Sequence, residues 1–198
     1  MLTIDLARAL YAAAGDSTHD FDHVMRVYHL AERIGQAEGA DMAVLRTATL
    51  LHDIARADQD AGRITEHAAE GARRARRILA DQPPEFVDQV AHAIEAHRFR
   101  VDLPPRTLEA KILYDADKLD AIGAVGIARA FAYGAHRGQR LWSAPDDSEH
   151  TAMKEFAIKL SKVNDTLFTQ SARALAEERH AFMVTFFARM AAEVAGEK

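Results

Sequence analysis

Ten histidines stand in this 198-residue chain, and helical register separates those able to do chemistry from the rest. Positions 23, 27, 30 and 34 share one helix face and read His23, Val27, Leu30 and Ile34. Positions 22, 26, 29 and 33 share another and read Asp22, Arg26, His29 and Arg33. His23 therefore belongs to an apolar stripe and His29 to a solvated one. The same test aligns His52 with Leu45 and Ala48, and His97 with Phe86, Val90 and Ala93, whereas His92 falls with Asp88 and Glu95 on a polar face. A lone histidine on an apolar face is ordinarily a hydrogen-bonded core residue. Three of them, one followed directly by Asp53, point elsewhere, because a buried carboxylate is costly unless it is paired or bound to a cation. The chemistry expected of an inward Asp beside an inward His is that of a divalent-metal site.

Further acids lie in the run Asp115-Ala116-Asp117-Lys118-Leu119-Asp120. Asp115 aligns with Leu108, Ile112, Leu119 and Ile122, while Asp117 follows Leu113 and precedes Ala121. Periodicity leaves open which acid points inward, and a charge run is as readily a solvated face.

The elements that must position these groups read as helices almost throughout, since Ala, Leu, Arg and Glu dominate and apolar residues recur at three- and four-residue spacings. Helices are expected over Ile4 to Ala14 and from about Asp20 to Glu38, the latter ended by Gly39. Asp41 can cap a third carrying MAVLRTATLLHDI, and Thr65 a fourth through EHAAEGARRARRILA. A fifth starts at Pro84 and ends near His97. The pair Pro104-Pro105 precedes a sixth, LEAKILYDADKLDAI, and AVGIARAFAYGA follows Gly123. His136 to Ser148 reads as a loop, with two more helices at about His150 to Val163 and Thr169 to Ala195. No strand-like alternation of useful length occurs. One all-α domain is expected over 1–198, a multi-helix bundle with 149–195 as a C-terminal helical extension packed on the core.

The absence of cysteine excludes disulfides and thiolate-bound zinc. A formal charge of -5 argues against a protein that coats nucleic acid. The basic run Arg73-Arg74-Ala75-Arg76-Arg77 spreads around a helix with no aromatic interleaving, so it is expected to be a solvated surface. Neither a signal peptide nor an apolar stretch of membrane-spanning length is evident, and a cytoplasmic protein with no membrane partner is expected. The stripe Phe182, Phe186, Phe187 and Met190 suits either internal packing or a dimer face, so monomer and homodimer both stay open.

The order His23, His52-Asp53, Asp117 resembles the H…HD…D signature of the HD-domain metal-dependent phosphohydrolases. The local text agrees: HDFDHVMRV, ATLLHDIAR and ILYDADKLDAIGAVGIAR. The stretch from His150, with KLSKV and ALAEERHAFMVTFF, is similar to one branch of small stand-alone bacterial and archaeal HD hydrolases. The resemblance implies His23, His52, Asp53 and Asp117 as metal ligands, and it puts Asp115 in a supporting place. It also implies roles for His67 and His97 near the metal or the substrate phosphates. Comparable extra histidines help hold a second metal in the HD-GYP phosphodiesterases, but no GYP segment is recognisable here, and one ion is expected. In the nucleotidase branch a Glu stands three residues after the pair. Here that position is Arg56, which puts a mechanism relying on that Glu in doubt and suits a more highly charged substrate.

Two imidazoles and two carboxylates form a mixed site suited to Mn, Fe, Ni, Co or Mg. Such a cation activates water and neutralises phosphoryl charge. Asp53 is expected to orient the attacking water, and His67 and His97 to move protons or to hydrogen-bond phosphate oxygens. Lys118, Arg26 and Arg56 are the expected phosphate contacts. The expected activity is hydrolysis of a phosphate ester or anhydride of a small molecule, with a nucleotide foremost and nucleoside triphosphate pyrophosphohydrolysis as one form of it. The alternative is a regulatory module that binds metal and nucleotide without turnover.

Overall fold

The computed structural model describes residues 2–12, 21–98, 103–144 and 147–198. It is all-α, with no strand among the described residues. Two compact units divide the chain, Met1–Asp117 and Lys118–Lys198.

The first unit holds α1 (Ile4–Ala12), α2 (Phe21–Glu38), α3 (Met42–Leu51), α4 (Arg56–Asp60), α5 (His67–Ile78), α6 (Pro84–Glu95) and most of α7 (Leu108–Asp120). Within it α2 packs on α3, α3 on α6 and α5 on α6. The reason is the apolar stripe each presents: Val24, Val27, Ala31 and Ile34 from α2, Val44, Leu45, Ala48 and Leu51 from α3, and Val90 and Ile94 from α6 are all buried. From α7 the same unit buries Ile112, Leu113 and Ala116. Gly39, at φ +76°, ends α2 in the left-handed conformation that glycine adopts without strain. The side chain of Asp41 caps α3 by accepting from the N–H groups of Ala43 and Val44, and Pro84 occupies the first turn of α6.

Among the described residues, several helix ends depart from the sequence expectation. The third helix, expected through Ile54, stops at Leu51. The N–H of Asp53 leaves the helical ladder and donates to the Tyr11 hydroxyl (3.1 Å), and a separate short helix, α4, follows. Glu66, not Thr65, caps α5: its backbone is extended and its carboxylate accepts from Ala69 N–H (2.8 Å), where a negative charge suits the helix dipole. The helix expected to reach Val163 ends at Ile158 and gives way to a 3-10 turn. Side-chain hydroxyls compete for backbone carbonyls there: Ser161 Oγ donates to the Ala157 carbonyl and Thr166 Oγ1 to that of Val163.

The second unit comprises α8 (Gly123–His136), α9 (Ala152–Ile158), the 3-10 helix Leu160–Thr166 and α10 (Gln170–Val194). Its aromatic centre is Phe187, 1% exposed, stacked on Phe156 at 4.6 Å between centroids. The α10 stripe divides: Phe187 is buried, whereas Phe182 is half exposed and borders an open groove of about 530 Å³ with Phe131, Leu141, Phe186 and Met190.

The basic run on α5 is locally neutralised. Arg73, Arg74 and Arg77 pair with Glu70, Arg74 also with Asp58, and Arg76 with Asp88. No helix among the described residues is long and apolar enough to cross a membrane.

Candidate metal centre

His52 sits at the C-terminal cap of α3, where the chain turns toward α4. Its Nδ1 lies 2.8 Å from the Thr49 carbonyl oxygen. A carbonyl can only accept, so Nδ1 carries the proton and Nε2 bears the lone pair. That Nε2 atom is fully buried and has no hydrogen-bond partner. A buried polar atom left without a partner is costly, and a cation bound at the lone pair removes the cost.

The groups around it have the chemistry to hold one. His23, from the apolar face of α2, brings Nε2 to 3.7 Å from Asp53 Oδ2 and 3.4 Å from Asp117 Oδ1, while His52 Nε2 is 3.8 Å from Asp53 Oδ2. One ligand atom from each of His23, His52 and Asp53 fits within 4.8 Å. His23, His52 and Asp53 are buried, but the Asp117 side chain is 20% exposed, so Asp117 marks the edge open to solvent. Asp115, which periodicity could not separate from Asp117, is fully buried.

Asp53 turns its other oxygen toward a second cluster. Oδ1 is 3.1 Å from His67 Nε2 and 3.6 Å from His97 Nε2, and the two imidazole atoms are 3.4 Å apart. These three residues also satisfy the spacing of a metal-holding group. His97 has its Nδ1 proton fixed on the Ile94 carbonyl (2.5 Å). The expected single ion thus meets two contiguous clusters that share one carboxylate.

Electrostatics agree with that arrangement. Burial pushes the His52 imidazole down to about 4, against a smaller opposing pull from Asp53, so it is neutral and ready to ligate at neutral pH. Burial alone would raise Asp53, but the surrounding His52, His67 and His97 imidazoles more than offset it and hold the carboxyl well below its usual range. Burial also lowers His67, assisted by His97 and by the Arg56 guanidinium and opposed by Asp53. The Tyr11 hydroxyl is raised well above the usual tyrosine range by burial and then by the Asp53 charge, so it remains a neutral acceptor for the Asp53 N–H.

The remaining sequence candidates are positioned as follows. Arg26 is half-buried on α2, one turn after His23. Arg56 is half-buried at the start of α4 and pairs with Asp60 at 3.1 Å. Lys118 is half-buried and is the first residue of the second unit. His29 is exposed, and His92 accepts from the Arg106 N–H at 3.0 Å. Tyr11 and Gln59 escaped the sequence reading altogether. Tyrosine and glutamine carry no metal-site pattern, and their contacts with Asp53 and His67 span 42 and 8 residues.

Comparison with known proteins gives this geometry a lineage. The HD domain family matches residues 20–122. The chain is 37% identical over 190 residues to YpgQ of Bacillus subtilis, covering 91% of this chain and 86% of that protein. The crystal structure of YpgQ in complex with ADP superposes with a TM-score of 0.77 over 99% of this chain and 100% of the other, at 34% identity. An HD-superfamily hydrolase from Bacillus thuringiensis superposes with a TM-score of 0.79, at 29% identity, over 97% of this chain and 94% of its own. Ribonuclease Y of Desulforamulus reducens is 34% identical over 164 residues, which are 71% of this chain but 30% of that enzyme. By the match over more than half its length and the near-complete coverage of YpgQ, the chain belongs to the HD-domain family.

Proposed function

We propose that this protein is a divalent-metal-dependent phosphohydrolase that cleaves a phosphate ester or anhydride of a small molecule, a nucleotide foremost. The observation that carries the reading is the bare, fully buried Nε2 of His52, facing the His23 imidazole and the Asp53 carboxylate. The ADP bound by YpgQ supports a nucleotide, and kinship with hydrolases supports turnover over mere binding.

In this reading His23, His52, Asp53 and Asp117 hold the cation, which supplies Lewis acidity toward water and phosphoryl oxygens when bound. Asp53, ionised throughout the neutral range, orients the attacking water through the oxygen it turns toward His67. His67 and His97 each keep one nitrogen fixed on a carbonyl and offer the other toward Asp53, an arrangement suited to accepting a proton from that water. Arg56, Arg26 and Lys118 neutralise substrate phosphates. The absence of cysteine suits a reducing compartment, and we assign the protein to the cytoplasm, as monomer or homodimer.

Metal analysis of the purified protein, followed by a nucleotide panel with added Mn and identification of the phosphate product, tests the reading. The expected result is stoichiometric metal, turnover of at least one nucleotide, and a loss of about 100-fold or more in kcat/KM for His52→Ala and Asp53→Asn. Protein without stoichiometric metal, indifferent to His52→Ala beyond ordinary destabilisation, overturns it. Metal and nucleotide binding without turnover makes the chain a regulatory module instead. Two ions per chain, the second lost with His97→Ala, replace the single-ion form of the proposal.

A further inference from the structure

Gln59, on the short helix α4, points its side-chain oxygen at two N–H donors of one residue. Oε1 lies 2.8 Å from the backbone nitrogen of His67 and 2.8 Å from His67 Nδ1. A guanidinium nitrogen of Arg98, itself anchored on Glu66 at 2.5 Å, approaches the same oxygen at 3.4 Å. The backbone amide and the guanidinium can only donate, so the amide of Gln59 must face them with its oxygen and not its NH2 group. That orientation bears on the ring: Nδ1 of neutral His67 can satisfy the same oxygen only by carrying the proton.

Two pulls therefore act on His67. Asp53 Oδ1, 3.1 Å from Nε2, attracts a proton to that side. Gln59 holds it on the other. If Asp53 prevailed, Nε2–H would donate to Oδ1, and both the carboxylate oxygen and the imidazole would be consumed by each other. If Gln59 prevails, both remain open as acceptors facing the cluster. From this geometry we infer that Gln59 is a positioning residue that locks His67 in its Nδ1–H form, keeping Nε2 and Asp53 Oδ1 free for a cation or for a water proton. A neutral His67 so locked accepts at Nε2 and cannot donate to a phosphate oxygen, which narrows the two roles open to it. The catalytic meaning rests on the phosphohydrolase reading; the proton position does not.

The test is nitrogen NMR of the metal-stripped full chain at about pH 8, where an ordinary histidine is neutral. Long-range proton–nitrogen correlations distinguish the two forms, with His67→Ala used only to assign the signals. In the wild type the Nδ1–H form of His67 is expected to be the major species. Gln59→Met removes the acceptor and should shift the proton to Nε2. Gln59→Glu retains an acceptor and should restore the wild-type pattern. If a nucleotide is turned over, Gln59→Met should lower kcat with KM little changed, and Gln59→Glu should recover most of it. A wild-type spectrum with the proton on Nε2 overturns the inference, as does a Gln59→Met spectrum identical to wild type. Should Gln59→Met fail to fold, the wild-type and Gln59→Glu spectra decide, because either one showing Nε2–H is fatal. An inactive protein with His67 in the Nδ1–H form would sink the enzyme reading alone.

Discussion

At His52 a single proton position links folding to metal binding. The ring is fully buried, its Nδ1–H is committed to Thr49, and burial holds its proton affinity down to about 4. In the unfolded chain the same ring titrates near 6.5. Between these values the unfolded chain binds a proton that the folded one does not, so stability rises with pH across that window. The contribution is fully present above about 6.5 and is lost as pH falls toward about 4. Its size is on the order of 3 kcal/mol. Urea midpoints of the metal-stripped protein should therefore fall steeply between pH 6.5 and 4, and His52→Leu, whatever its own cost, should flatten that slope. An unchanged slope in the variant would assign the acid sensitivity to other groups.

At the scale of elements, the site exists because α3 ends where it does. Had α3 continued to Ile54 as its apolar pattern suggests, Asp53 would have remained in the helical ladder. Instead the Asp53 N–H is taken by Tyr11 from α1, and the turn frees both carboxylate oxygens for different clusters. Helix α5 can approach this turn because residue 71 is glycine: a Cβ there would stand 3.3 Å from Ile94 Cγ2 and 3.4 Å from the His52 carbonyl oxygen. Alanine at this position gains up to about 1 kcal/mol of helix propensity against a tight contact, so Gly71→Ala should stay within about 1 kcal/mol of wild type. Gly71→Leu must push α5, which begins at His67, away from the turn, and should cost about 1–3 kcal/mol. Denaturant unfolding of both variants measures this, and a Leu variant as stable as the Ala one would show that the approach is not tight.

At the scale of the whole molecule, all four expected ligands lie in the first compact unit and Trp142, the single tryptophan, in the second. We propose that 1–198 nevertheless unfolds as one domain. A cation binding only the folded chain stabilises it by about 2.7 kcal/mol at a hundredfold excess over its Kd, or roughly 5–10 °C for a chain of this size. Added Mn should thus raise the melting temperature, and EDTA should lower it, by the same amount whether read by Trp142 fluorescence or by helical circular dichroism. A tryptophan transition indifferent to metal would divide the chain into two domains at Asp117.

The helical class and the inward faces of His23, His52 and His97 were legible from the residues alone, because both follow from the 3.6-residue period acting within one element. Resemblance added His67 and chose Asp117 over Asp115, a choice periodicity could not make. How one carboxylate divides between two clusters depends on the packing of separate helices. That packing alone supplied Tyr11 for the Asp53 N–H and Gln59 for the His67 proton. Those are contacts between elements, made by ordinary polar side chains that no spacing rule marks, and their directions are set by how the helices pack.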